Sequence, residues 1–113
     1  MSADAVVNMA KKQLGIKFTL GSVDPSTGFD DSGLVVYCFK QAVGMTLPHN
    51  ITKLINMGTA IPKSKLKPGD IIFPSGGHVG IYIGNNQFIH TSNQDRVVKI
   101  SKVYSYYIGR RLL

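Results

Sequence analysis

The apolar residues of this chain change period near its middle. Within Ser2–Leu14, Asp31–Val43 and Asn50–Met57 they recur at helical spacing; from Ile71 to Leu112 they form short β-branched and aromatic runs separated by turn residues. Helices first and strands after, joined by short turns, predict an α+β fold with N-terminal helices packed on an antiparallel sheet. With 113 residues the chain has length for a single domain, 1–113, around one modest core.

The element ends are marked locally. Ser2 to Leu14 reads as a first helix, with Ser2 as N-cap, Ala5, Val6, Met9, Ala10 and Leu14 on one face, and Gly15 as the stop. Ile16 to Gly28 is rich in turn formers and reads as a loop. A second helix is expected over Asp31 to Val43, capped by Asp30 and closed by Gly44. Its Leu34, Val35, Cys38, Phe39 and Ala42 form a wide apolar face, so it should be central. A short third helix fits Asn50 to Met57. Lys67-Pro68-Gly69-Asp70 is a turn, and strands are expected at Ile71–Phe73, Val79–Ile83, Phe88–Thr91, Arg96–Ile100 and Tyr106–Leu112. Gly84-Asn85-Asn86 is a hairpin signal between the second and third of them.

Thirteen basic against six acidic residues give a net charge of +7, which favours anionic partners such as acidic polymers. The charges are scattered and no nucleic-acid-binding motif accompanies them. No apolar run is long enough to span a membrane. The start, Met1-Ser2-Ala3-Asp4, lacks the layout of a secretory signal; a cytosolic chain, a trimmed mature domain and another export route are all compatible with it. The single cysteine, Cys38, excludes an intrachain disulfide framework and a multi-cysteine zinc site.

Three residues stand out chemically. Asp31 falls in the first turn of the central helix, where the dipole and unpartnered N–H groups stabilise a carboxylate or a thiolate. On position alone, Asp30 and Asp31 are ordinary N-terminal helix residues. His78 follows Ser75-Gly76-Gly77 at the start of a strand, and His90 lies 90 − 78 = 12 residues later, across the hairpin. Folding the hairpin can make the two histidines cross-strand neighbours, a base and its orienting partner; either one alone reads as a structural histidine.

The segments Asp30-Asp31-Ser32-Gly33, Leu47-Pro48, Leu66-Lys67-Pro68-Gly69-Asp70 and His78-Val79-Gly80-Ile81-Tyr82-Ile83-Gly84, in this order, resemble the NlpC family of papain-like cell-wall cysteine peptidases. The resemblance implies a papain-like NlpC fold with a sheet of five to six antiparallel strands. It places Asp31 in the slot of the nucleophilic cysteine, His78 at the catalytic base and His90 at the orienting residue. It assigns Asp30 and Ser32 to binding the free amino end of the substrate, with Phe18 where the family has a tyrosine and His49 where it has an arginine. It implies peptidoglycan peptides as partners, anionic wall polymers as a further one, secreted or cell-surface action, and no metal or cofactor.

Asp31 leaves alternatives open. One is a D-glutamyl–diamino acid endopeptidase inactivated at its nucleophile position, by design or otherwise; retention of both histidines leans this way. Another is a natural pseudoenzyme that binds wall peptides without cutting them; the departures at Phe18 and His49 lean that way. A third is a two-histidine, one-carboxylate metal site from Asp31, His78 and His90. A simple Asp31–His78 ion pair is more ordinary than the metal site. Cys38 is no substitute nucleophile: 38 − 31 = 7 residues of helix separate it from the slot by about 10 Å.

Overall fold

A computed structural model describes residues 2–113. Helix α1 (Ser2–Lys11) is followed by a small hairpin, β1 (Val23–Asp24) and β2 (Gly28–Phe29), and then by the central helix α2 (Asp31–Val43). A single turn of helix, α3 (Ile51–Leu54), leads to β3 (Thr59–Ile61). The remaining strands are β4 (Ile71–Ser75), β5 (His78–Gly84), β6 (Gln87–Thr91), β7 (Val98–Lys102) and β8 (Ile108–Arg111). They form one six-stranded sheet in the order β3-β8-β4-β5-β6-β7, with every neighbouring pair antiparallel.

Helix α2 has the ends its sequence dictates. The Asp30 side chain accepts the N–H of Gly33 at the N-cap, and Gly44 closes the helix in the left-handed region at φ 71°. Its buried face, Leu34, Val35, Cys38 and Phe39, meets Val6 and Ala10 of α1 on one side and Phe73, Val79, Ile81 and Ile89 of the sheet on the other. Strand alternation sends Ile72, Phe88 and Val103 to the opposite face of the sheet, where Leu66, Tyr82 and Tyr106 cover them in a second, smaller cluster.

Several expected boundaries move. Ser2 is already helical, and α1 ends at Lys11 rather than Leu14. Gln13 and Leu14 bond three residues back, to Ala10 and Lys11, so the chain tightens into turns and leaves Leu14 exposed. The third helix shortens for the same reason: Asn56 and Met57 bond to Lys53 and Leu54. The β1–β2 hairpin lies in the segment read as loop. Strand β7 starts at Val98, not Arg96, because Arg96 takes φ 62° and cannot belong to a strand. Strand β3 was not foreseen; it is held at the sheet edge by pairing with β8.

The turn between β5 and β6 matches its signal. Asn85 and Asn86 take φ 54° and 59°, the two left-handed residues of a tight hairpin turn. That turn pairs Gly84 with Gln87, and a bulge between Tyr82 and Gly84 then sets the register Ile81↔Ile89 and Tyr82↔Phe88, and through it the position of both histidines.

Candidate active site

Asp31 opens α2, as the sequence predicts. Its Oδ1 accepts the backbone N–H of Ser32 at 2.8 Å, so the carboxylate lies against the positive end of the helix. Its Oδ2 is 3.1 Å from Nδ1 of His78, which must donate, because a carboxylate only accepts. Asp31 and His78 are both largely shielded, with side chains 16% and 11% exposed. Three contacts hold the helix start in place. Thr91 Oγ1 of β6 donates to the Asp30 carbonyl, the Asp30 N–H donates to Ser22 O, and Gly33 packs under Ser22 O and Asp30 Oδ1 where a Cβ has no room.

His78 and His90 do meet, but diagonally rather than as a direct cross-strand pair. Continuing the β5–β6 register places Gly80 opposite His90. A Cβ on Gly80 would lie 2.9 Å from His90 Cβ and 2.8 Å from Ile89 O. The missing side chain leaves the space through which His78 Nε2 reaches His90 Nδ1 at 2.7 Å. His90 is 4% exposed and stacks on Phe88, ring centroids 4.2 Å apart. Its Nε2 lies 2.8 Å from Oγ of Ser101. Burial, helped by His78 and Lys99, lowers the pKa of His90 to about 4. At neutral pH it is an uncharged ring with one N–H.

The result is a continuous line, Asp31–His78–His90–Ser101, running from the helix end of the core to the outer face of the sheet. Ser101 was missed in the sequence. It follows His90 by 11 residues and faces it only because β7 pairs with β6 in the register Phe88↔Ser101.

The two histidines hydrogen-bond to each other instead of converging on a shared point. Among the described residues no group of three or more His, Cys, Asp or Glu side chains is arranged to hold a metal ion. The two-histidine, one-carboxylate site does not fit this geometry. Cys38 is fully buried, and desolvation pushes its thiol up to about 12, which leaves it protonated and inert.

Asp30 is already heavily engaged. Its carboxylate accepts the N–H of Gly33 at 2.6 Å and of Gly21 at 3.0 Å, and His49 Nε2 lies 2.8 and 2.9 Å from its two oxygens. Ser32 Oγ is at the edge of reach, 3.5 Å away, and is buried. His49 therefore stands at the Asp30 carboxylate, half-covered, where a cationic or donor group fits. Phe18 is bridged to Phe29, one residue before Asp30, and the guanidinium of Arg96 lies 4.2 Å above its ring.

Comparison with known proteins places the chain in a family. A family model described as the NlpC/P60 family matches residues 15–113. The chain is 38% identical over 98 residues to a gamma-DL-glutamyl hydrolase of Bacillus subtilis, covering 81% of this chain and 24% of that protein. It is 33% identical over 118 residues to the murein DD-endopeptidase MepH of Escherichia coli, covering 93% of this chain and 44% of that protein. It thus spans less than half the length of these two curated relatives. The crystal structure of the NlpC/p60 domain of the peptidoglycan hydrolase SagA superposes with a TM-score of 0.89 at 32% identity, covering 97% of this chain and 98% of that one. In sequence and in fold, the chain belongs to the NlpC/P60 family.

Proposed function

We propose that position 31 is the point of nucleophilic attack in a scaffold for hydrolysing peptidoglycan stem peptides, and that Asp31 makes the chain as written non-hydrolytic. The observation that carries this reading is the placement of the Asp31 side chain. It sits on the N-terminus of α2 with Nδ1 of His78 at 3.1 Å and His90 behind it, the geometry a nucleophile and its oriented base require. Relatives that are a gamma-DL-glutamyl hydrolase and a murein endopeptidase support the substrate class.

With a cysteine at position 31, His78 would take the thiol proton and the thiolate would attack the scissile carbonyl. Oxygen charge would develop at the helix start, where Asp31 Oδ1 already accepts the Ser32 N–H. His78 would then return the proton to the leaving amine, and water would release the acyl-enzyme by the same route. Attack by Asp31 itself would give an anhydride, more reactive than the amide it replaces, so the aspartate blocks the reaction at its first step. Asp30 and Ser32, with His49 and Phe18 beside them, would receive the amino end of the substrate.

The test is Asp31→Cys. The revertant should release peptides from purified muropeptides while the present chain releases none. A folded revertant that cleaves no muropeptide sinks this reading. The pairing of His49 with Asp30 favours a second reading, a natural binder of wall peptides in which this subsite has been rebuilt. The codon for residue 31 in the natural gene separates the two: cysteine means an installed change, aspartate a selected one.

A further inference from the structure

The net charge of +7 is unevenly placed. Between β3 and β4 the chain reads Pro62-Lys63-Ser64-Lys65-Leu66-Lys67-Pro68, three cations in seven residues with no acid among them. One turn of 3₁₀ helix, Lys63–Lys65, passes into extended backbone at Leu66. Leu66 packs on the Ile72, Phe88 and Val103 cluster of the outer sheet face, and a proline at each end restricts the backbone. The segment is thus a strap held flat on the sheet with its three lysines exposed. Among the described residues none of the three is in an ion pair.

Arg111 of β8 joins them, its Nη2 donating to the Lys65 carbonyl at 3.2 Å. A cleft of about 180 Å³ between the strap and the start of α1 has Lys67 and Arg111 on its walls, with Ala3, Pro68 and Leu113. Asp70 also lines it, but its carboxylate is 2% exposed and already accepts Nε and Nη2 of Arg111 and the N–H of Lys67. Asp4, in the same helical turn as Ala3, does not line it. Four cations against two carboxylates leave this corner of the molecule positive.

We infer that this strap is a docking surface for a linear phosphodiester polymer of small alditols in the bacterial wall. One phosphate enters the cleft between Lys67 and Arg111, and its neighbours lie along Lys65 and Lys63. The choice of a wall polymer rests on the reading of the protein as a scaffold for peptidoglycan hydrolysis; the basic surface stands without it. The three lysines have no ion pair to surrender, and the strap that carries them is already ordered, so little is lost on binding. The strap offers no aromatic side chain on which a nucleic-acid base could stack, which favours a bare phosphodiester backbone. It is also remote from the site. Pro68 lies against Gly84, and His78 begins the same strand β5 six residues earlier, about 20 Å away. A polymer held here leaves Asp31 and His78 open to a stem peptide.

Anisotropy of labelled poly(glycerol phosphate) with the chain as written tests this without catalysis. Log affinity should fall with log salt at a slope of about −3 between about 50 and 200 mM, as four phosphates on a flexible polyanion require. Lys63→Ser, Lys65→Ser and Lys67→Ser together should weaken binding about tenfold or more at about 150 mM salt and bring the slope to about −1. These exchanges leave the backbone bonds of Lys65 and Lys67 and the Arg111–Asp70 pair in place, and thermal unfolding checks the fold. Lys11, Lys12 and Lys17 are exposed at and beyond the other end of α1. Their replacement by serine changes the net charge equally and should weaken binding less than about twofold, since they lie beyond a screening length. Single-stranded poly(dT) of equal charge should bind about threefold more weakly or worse. Equal losses in the two triple variants would reduce the attraction to net charge and overturn the inference. Equal or tighter binding of poly(dT) overturns the wall polymer as partner, and no binding of poly(glycerol phosphate) even at low salt overturns the surface itself. Cleavage of muropeptides by the Asp31→Cys protein is decided separately. A revertant that cleaves, beside a chain that binds no polymer, removes this inference alone; a folded revertant that does not cleave, beside a chain that binds through the strap, removes the peptidase reading alone.

Discussion

A neutral His90 has one ring proton, so its two hydrogen bonds must run in the same direction. While His78 holds a proton only on Nδ1, His90 Nδ1–H donates to His78 Nε2 and the Ser101 hydroxyl donates to His90 Nε2. When His78 takes up a second proton, its Nε2–H donates to His90 Nδ1, the ring proton of His90 moves to Nε2, and Ser101 turns from donor to acceptor. A hydroxyl can follow this reversal and a methyl cannot. In the Asp31→Cys protein His78 keeps Nδ1 free for the thiol proton, so its Nε2–H donates to His90 Nδ1 and His90 Nε2–H donates to Ser101 in both protonation states. Ser101→Ala removes that last acceptor and should cost roughly tenfold in kcat/KM, the scale of one buried hydrogen bond, and displace the pH profile of that parameter. Ser101→Thr should restore both. A purely structural serine would change thermal stability and leave the pH profile in place.

Among the elements, the β5–β6 hairpin matters most to the site, and Gly80 is its narrowest point. A methyl group there would meet Phe88 Cδ2 at 2.5 Å, Ile89 O at 2.8 Å and His90 Cβ at 2.9 Å. Gly80→Ala should destabilise the fold by about 1–3 kcal/mol, as overpacking does. In the Asp31→Cys protein it should reduce kcat/KM by far more than the residual folded fraction explains. The measurement is denaturant unfolding beside turnover; loss of both in proportion would mean that Gly80 serves packing alone. This hairpin was legible in the sequence because Asn85 and Asn86 carry their own backbone preference. Both ends of α2 were legible for the same reason, through Asp30 and Gly44. Where the ends of elements depend on partners far along the chain, local patterns failed. Thr59–Ile61 becomes a strand only by pairing with β8, and Arg96 stands outside β7 at φ 62°, its carbonyl accepting the N–H of Phe18.

At the scale of the whole molecule, the sequence placed Asp31, His78 and His90 in one site but not the groups that surround His90. Ser101, Lys99 and Asp95 become neighbours of His90 through the β6–β7 pairing and the loop before it, a register no short motif records. The same assembly makes the stability of the fold depend on pH. His90 titrates near its ordinary value of 6.5 when unfolded and near 4 when folded, chiefly because burial disfavours its charged form. Between those values the unfolded chain binds the proton more readily, so stability at this group is complete above about pH 6.5 and is lost as pH falls toward 4. The gap corresponds to about 3 kcal/mol at most. His90→Gln keeps an amide beside His78 and removes the titrating ring. Denaturant unfolding at pH 7 and at pH 4.5 should show the present chain losing roughly 2 kcal/mol more than His90→Gln over that interval. The charges that face His90 from around the site, Lys99, Asp95 and Asp31, are the same in both proteins, as is the rising net positive charge, so the difference isolates the imidazole. Parallel losses in the two proteins would mean that His90 is protonated in the fold at pH 4.5, and the one-directional hydrogen-bond line through it would fail with that result.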